Sequence, residues 1–215
     1  MLGDVVSEEV QGRVISLFRA LAELRDPKIR NLHPAYASVL IDFDPRESSH
    51  EELARLVEKS ASERRPKKER APNIVTIPVC YDNEFGPDFL EVAKHTKTSP
   101  EEVIRLHSSA TYRVCFLGFS PGFAYLSGLP EALRVPRLDT PRKSVKAGTV
   151  AIAGSQAAVY PVDSPGGWRL IGRTPVQMFD PDATSPVRLT PGDVVKFAAI
   201  ERVTFDTMFD AMERR

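Results

Sequence analysis

Residues 148–175, GTVAIAGSQAAVYPVDSPGGWRLIGRTP, restrict the possible folds of this chain more than any other stretch. Short apolar runs at 150–152, 159–160 and 170–171 alternate with Gly148, Gly154, Pro161, Pro165, Gly166, Gly167, Gly172 and Pro175. Runs this short, bounded by such breakers, read as strands joined by tight turns. The stretch also carries the only tryptophan, Trp168, directly after the polar loop Asp163-Ser164-Pro165-Gly166-Gly167. Glycine lets other atoms approach the main chain closely, so a Gly-Gly pair before a large aromatic can form a pocket wall. A tight hairpin with a core tryptophan satisfies the same residues, and the stretch alone leaves both readings open.

The punctuation extends well beyond this stretch. Nine of the twelve glycines and ten of the eighteen prolines lie between Gly118 and Gly192, with no helical periodicity among them. That spacing indicates a closed or nearly closed β structure. Residues 74–81 (IVTIPVCY), 111–119 (TYRVCFLGF), 175–180 (PVQMFD) and 192–199 (GDVVKFAA) are further expected strands. Pro78 assigns the first of these to a sheet edge or a bulge. Two helices are expected between them, one from Pro87 to about Lys97 and one opened by the capping box Ser99-Pro100-Glu101-Glu102 and ending near His107.

The N-terminal third has a different pattern. Ser7 caps an expected helix over 7–25, with Val10, Val14, Leu17, Phe18, Leu21 and Leu24 on one face. AYASVLIDF (35–43) alternates as a strand, and Ser49-His50-Glu51-Glu52 opens a second helix over about 50–63. SERRPKKERAPN (62–73) then reads as a charged linker. The expected division is therefore an α+β domain over 1–72, with the linker at its end, and a β-barrel domain over 73–215.

Charge excludes one class of function. The chain carries 29 basic and 29 acidic residues, so the run Arg64, Arg65, Lys67, Lys68 reads as a solvated connection and no nucleic acid is expected as a partner. Cys80 and Cys115 sit in separate apolar runs and form no C-x-x-C pair, as expected for buried free thiols in a reducing compartment. No apolar leader or membrane-length apolar run is present. A cytoplasmic location without membrane attachment is the expectation.

The common stand-alone catalytic motifs are missing. There is no G-x-x-x-x-G-K-[ST], no G-x-G-x-x-G after a strand, no G-x-S-x-G elbow and no zinc spacing among His33, His50, His95 and His107. This points to a site that a partner chain completes. What remains is a set of loops: Phe119-Ser120-Pro121-Gly122-Phe123-Ala124-Tyr125, Thr140-Pro141-Arg142-Lys143-Ser144, Gly154-Ser155-Gln156 and Gly172-Arg173-Thr174. Aromatic faces, backbone N–H groups and guanidiniums that grip carboxylate or phosphate in two-pronged fashion would suit a small acid. The same aromatics also suit a core, and the same arginines suit surface ion pairs. His107 lies at an expected helix end, where it can act as a general acid–base or as a dipole-favoured cap.

FLGFSPGFAYLSGLP (116–130) and SPGGWRLIGRTP (164–175) are long and unusual in composition. On them the chain resembles the 5-oxoprolinase B-subunit (PxpB) family, also called allophanate hydrolase subunit 1 or KipI-type, from about Gly3 to about Ile200. The family's GFxYL element falls on Gly122, Phe123, Tyr125 and Leu126, and its TPR on Thr140, Pro141 and Arg142. Its SPGGW falls on Ser164 to Trp168 and its IGRTP on Ile171 to Pro175. The resemblance implies an α+β fold: a small N-terminal α/β sandwich domain followed by a cyclophilin-like β-barrel domain. It also implies an additional strand at the start, of which LGDVVSEE matches only the end. The expectation is that either the true start lies upstream, or the open edge is filled by a second copy or by the C subunit of that family.

The resemblance further implies the B component of an ATP-dependent 5-oxoprolinase. With the C and A subunits as partners it would convert 5-oxo-L-proline to L-glutamate, with ATP bound jointly with a partner. In that role Arg142 and Arg173 would hold the carboxylate or a phosphate, and Gln156 would face the developing oxyanion. The expected catalytic residues are His107, Gln156 and Arg173. The expected substrate contacts are Phe119, Gly122, Phe123, Tyr125, Arg142, Ser155, Ser164, Gly166, Gly167, Trp168 and Thr174. One departure stands out: AGSQAAV (153–159) replaces AGGQTG or a close variant, so Ala157 removes a hydroxyl beside the expected site. Relatives also include KipI-type inhibitors of a sensor histidine kinase and halves of urea/allophanate-type carboxyltransferases, and both remain alternatives.

Overall fold

The computed structural model describes residues 1–5, 7–62 and 72–214. The basic run at 64–68 and most of the expected linker lie outside the described residues. Two compact units are present, Met1–Pro72 and Asn73–Arg215.

In the first unit, helix α1 (Glu8–Leu24) starts where expected, with the Ser7 hydroxyl accepting the Val10 N–H at 3.2 Å. Strands β1 (Ile29–Pro34) and β2 (Val39–Phe43) form an antiparallel pair with Pro34 opposite Val39. Helix α2 (His50–Ser62) opens with a reciprocal box: Glu52 N–H donates to Ser49 Oγ at 3.3 Å, and Ser49 N–H donates to Glu52 Oε2 at 3.2 Å. Val10, Val14, Ile15, Leu21 and Leu53 are its buried apolar residues. The expected strand over 35–43 is shorter than its alternation implies. Ala35 N–H bonds to Ser38 carbonyl at 2.8 Å, so 35–38 is the hairpin turn, and 29–34 supplies a partner strand that no alternation had marked. Among the described residues no strand precedes α1; instead Leu2 N–H donates to Ala37 carbonyl at 2.7 Å. Asp44, after β2, is gripped by Arg46 at 2.7 Å and by Arg30, and the Arg46 hydrogen bonds hold its carboxyl down at about 2.

The second unit is a nearly closed barrel. Its strands are β3 (Ile74–Val79), β4 (Tyr112–Leu117), β5 (Ala124–Ser127), β7 (Thr149–Ala153), β8 (Gln156–Val159), β10 (Arg169–Arg173) and β11 (Val194–Ala199). They run in the order β10-β7-β8-β5-β4-β11-β3, antiparallel throughout except for β11 beside β3. The two ends meet: Cys80 and Arg173 exchange both backbone hydrogen bonds, each 2.9 Å. Gly172 permits the junction, since a Cβ there would lie 2.7 Å from the Cys80 carbonyl oxygen. Pro78 sits on β3, the terminal strand of that order, as its missing N–H requires.

Ile77, Val79, Val114, Leu126, Val150, Ile152, Val159, Ile171 and Val195 fill the interior. Helices α3 (Phe89–Thr96) and α4 (Pro100–Ser109) contribute Phe89, Val92 and Val103 to the same core. A short ribbon of β6 (Arg142–Val145) and β9 (Ser164–Gly166) forms a separate two-stranded sheet, and helix α5 (Arg202–Glu213) follows β11. Residues 175–180 are not a strand; only Phe179 makes a bridge, to Val187, because Pro175 and the turns that follow prevent a continuous ladder.

Candidate functional site

Strand alternation builds the site. On β5, β7, β8 and β10 one set of side chains fills the barrel, and the other set points outward. The outward set comprises Phe123 and Tyr125 around β5, Ala151 and Ala153 on β7, Ala158 and Tyr160 around β8, and Trp168 and Leu170 around β10. Three alanines at the centre leave room for four large rings, so the rings lie over the strands, with Val145 of the β6–β9 ribbon packed among them.

The rings meet edge to face, the favoured arrangement for aromatic quadrupoles. Phe123 lies 5.3 Å from Tyr160, 5.7 Å from Trp168 and 5.0 Å from Tyr125. Tyr125 stacks on Phe116 at 4.5 Å. Phe119 extends the set outward at 5.3 Å from Phe123; it is 63% exposed and holds a φ of 72°, a strained value for a residue with a Cβ. The guanidinium of Arg137 covers the Trp168 ring at 5.5 Å. The hydroxyls of Ser120 and Ser164 are buried here without a hydrogen-bond partner. Gly166 is required: a methyl at that position would overlap the Tyr160 phenol oxygen.

One ion pair ties this face to the rest of the barrel. Arg142 Nη2 donates to Asp88 Oδ1 at 2.6 Å, and Leu170 N–H donates to Asp88 Oδ2 at 2.7 Å. Asp88 is 4% exposed. Sequence reasoning missed it, because an aspartate next to Pro87 at a helix start reads as a cap. Its side chain makes no cap hydrogen bond and turns to Arg142 instead. Arg142 is therefore neutralised from within by Asp88 rather than presented as an unpaired cation.

The remaining expected residues separate into those on this face and those elsewhere. Gln156, by its register beside Ala158 and Tyr160, shares the aromatic face at the β7–β8 hairpin, and Ser155 is the exposed tip of that hairpin. Gly122, with φ of 80°, packs against Phe179 and Pro161 behind Phe123, and Gly167 lies against Pro141. Ala157 points into the barrel opposite Leu126, so the missing hydroxyl belongs to the core rather than to the outer face.

Arg173 is at the barrel seam. It stands five residues beyond Trp168, roughly 16 Å along an extended strand, donates Nε to Ala147 carbonyl at 3.0 Å and lies over Phe85 and Phe209. It is not brought together with Arg142, which lies on β6 opposite Gly166 and pairs with Asp88, whereas Arg173 ends β10 at the seam. Thr174 is 2% exposed and its hydroxyl accepts Val176 N–H at 3.2 Å, which is a turn contact.

His107 is in the core, not in the site. It follows Val103 by one helical turn on the inward face of α4 and is fully buried. Its ring stacks on Phe197 at 4.5 Å and its Nδ1 is 2.7 Å from Tyr81 Oη. Burial lowers its pKa to about 3, which keeps the ring neutral at pH 7, and its place among Tyr81, Tyr112 and Phe197 keeps it away from the outer face. The expected acid–base role is corrected on those grounds. The outer face thus gathers a packed aromatic cluster, of which Phe119 is exposed, with two buried unpaired hydroxyls, the Gln156 amide and the Arg137 guanidinium.

Residues 1–189 match the family model described as carboxyltransferase domain, subdomain C and D. The 5-oxoprolinase B subunit of Bacillus subtilis (strain 168) is 41% identical over 208 residues, covering 92% of this chain and 87% of that protein. Among solved structures, TTHA0988 superposes with a TM-score of 0.83 at 42% identity, covering 93% of this chain and 39% of that one. A conserved uncharacterized protein from Pyrococcus horikoshii gives a TM-score of 0.61 at 43% identity, covering 95% of this chain and 94% of that one. The chain thus spans less than two-fifths of TTHA0988 and nearly the whole of the other two.

Proposed function

This chain belongs to the 5-oxoprolinase B-subunit family, within the carboxyltransferase domain, subdomain C and D, and we propose on that premise that it is the B component of an ATP-dependent 5-oxoprolinase. The observation that carries the reading is likeness to a 5-oxoprolinase B subunit along almost the full length of both chains. The outer aromatic face supports it. 5-Oxo-L-proline is a compact five-membered lactam with one carboxylate; the exposed Phe119 ring and the Arg137 guanidinium over the packed Trp168 ring are the aromatic and cationic groups this face presents to it.

In this reading water opens the lactam to L-glutamate within an assembly that includes the C and A subunits. Gln156 is on the face where its amide can donate to the lactam oxygen as negative charge builds there. Asp88 and Arg142 fix the ribbon that covers the rings. ATP makes opening of a stabilised amide feasible, but the described residues form no triphosphate cradle of their own. The Gly166–Gly167 pair accommodates Tyr160 and Pro141, and Arg142 faces Asp88. In this reading ATP is bound jointly with a partner subunit.

The test is reconstitution. The chain assayed alone should show no 5-oxoproline-dependent ATP hydrolysis, whereas the chain combined with the C and A subunits should form glutamate and phosphate together. Absence of turnover in a complex that assembles, or association with a sensor histidine kinase in place of the two subunits, would overturn the reading.

A further inference from the structure

The cations around the aromatic face are not equivalent. Arg142 is paired with Asp88 at 2.6 Å, and Arg169, only 15% exposed at its side chain, is paired with Glu91 at 2.9 Å. Lys146 pairs with Asp163 at 2.7 Å, and Arg134 with Glu131 at 3.5 Å. Arg137 has no acidic partner among the described residues, and its guanidinium lies over the Trp168 ring at 5.5 Å. Lys143 is also without an acidic partner among the described residues, but nothing fixes it beside the rings.

We propose that Arg137 is the anion-reading residue of this face and that it takes the carboxylate of a small ring acid placed beside Trp168. A guanidinium attracted to an aromatic ring by its charge still carries N–H groups that can pair with a carboxylate in two-pronged fashion. The phenol of Tyr160 belongs to the same neighbourhood: burial pushes its pKa up, while the charges of Arg137 and Arg142 act on it in the opposite sense. With Arg142 neutralised by Asp88, the uncompensated positive charge beside Tyr160 and Trp168 is that of Arg137. Ser164, on the ribbon strand over this face, keeps a buried hydroxyl without a partner, and a polar ligand atom would satisfy it. The identity of the acid as 5-oxo-L-proline rests on the proposed function; the anion site itself does not.

Because Trp168 is the only tryptophan, its emission reports this position alone. The full chain is titrated with 5-oxo-L-proline, with the uncharged lactam 2-pyrrolidinone and with inorganic phosphate. A saturable change is expected with 5-oxo-L-proline and only a weak one with 2-pyrrolidinone. Arg137→Gln keeps most of the stem and should weaken 5-oxo-L-proline binding about tenfold or more, the worth of a charge-assisted pair, while Arg137→Lys should recover part of it. An unchanged Arg137→Gln titration, an equal response to 2-pyrrolidinone, a response to phosphate alone, or no response at all would each overturn the proposal. In the complex with the C and A subunits, Arg137→Gln should raise KM for 5-oxo-L-proline and leave kcat nearly unchanged. An active complex with an unchanged KM removes this inference and keeps the proposed function. An inactive wild-type complex whose Trp168 still reports Arg137-dependent carboxylate binding does the reverse.

Discussion

Asp88 grips Arg142 with one carboxylate oxygen, at 2.6 Å, and the Leu170 N–H with the other, at 2.7 Å. This single buried side chain joins the start of α3, the ribbon strand β6 and the barrel strand β10. Removing it leaves a guanidinium whose side chain is only 29% exposed without a counter-charge and a buried N–H without an acceptor. Asp88→Ala should cost about 3 kcal/mol, the lower range for breaking a buried pair, and Asp88→Asn about 1–2 kcal/mol, since an amide oxygen still accepts one bond. Urea unfolding measures both, and amide exchange should rise first along 142–146. A loss under about 0.5 kcal/mol, typical of neutral surface changes, would show that the pair is dispensable.

Gly166 and Tyr160 form a second coupled pair. A methyl at 166 would overlap the Tyr160 phenol oxygen, so Gly166→Ala should destabilise by about 1–3 kcal/mol through overpacking. Tyr160→Phe removes the nearest of the three clashing atoms but leaves ring carbons Cζ and Cε1 at 2.7 and 2.9 Å, so it should recover only part of that loss in the double variant. Simple additivity of the two losses would mean that the ribbon shifts aside instead, and a thermal-melt cycle distinguishes the cases.

Trp168 is 5% exposed and touches Phe123 and Tyr125 edge-on. Trp168→Ala should cost about 3–5 kcal/mol, and Trp168→Phe clearly less because one ring is retained. An unchanged melting temperature in Trp168→Ala would place the ring outside the packed cluster.

The sequence was most informative where local rules act alone. Ser7, Ser49 and Ser99 cap their helices because a hydroxyl two or three residues ahead of a free N–H needs no tertiary partner. Glycine and proline density marked the barrel because each tight turn depends on its own few residues. Strand β1 was missed because IRNLHP has no clean alternation, and its pairing with β2 decides its conformation. At the site, the aromatics Phe123, Tyr125 and Trp168 were legible as a group, since they crowd between breakers and end on one outer face. The roles of Arg142, Arg173 and His107 were not. Each is set by a distant residue: Asp88 lies 54 positions from Arg142, Phe209 contacts Arg173 from α5, and Tyr81 reaches His107 from the end of β3. Arg137 went unnoticed because no motif contains it, and only the fold puts it over Trp168.

His107 makes stability depend on pH in a window that few other groups share. In the fold its pKa is lowered to about 3 by burial, whereas in the unfolded chain it titrates near 6.5. Between those values the unfolded state binds the extra proton, so stability is fully present above about pH 6.5 and is lost as pH falls. The limiting slope for one proton is about 1.4 kcal/mol per pH unit. Carboxylates with lowered pKa values, Asp44, Glu52, Glu102 and Asp163, lose their contribution in the same direction but only below about pH 5, where unfolded carboxyls begin to protonate. The interval from pH 6.5 to 5 therefore isolates the imidazole. His107→Gln retains an acceptor for the Tyr81 hydroxyl but cannot take up a proton. It should be less stable than wild type at pH 7, through imperfect packing against Phe197 and Tyr112, yet lose far less stability between pH 6.5 and 5. Urea midpoints at pH 7, 6 and 5 decide the matter: parallel curves for the two proteins would mean that His107 reaches water and titrates normally in the folded chain.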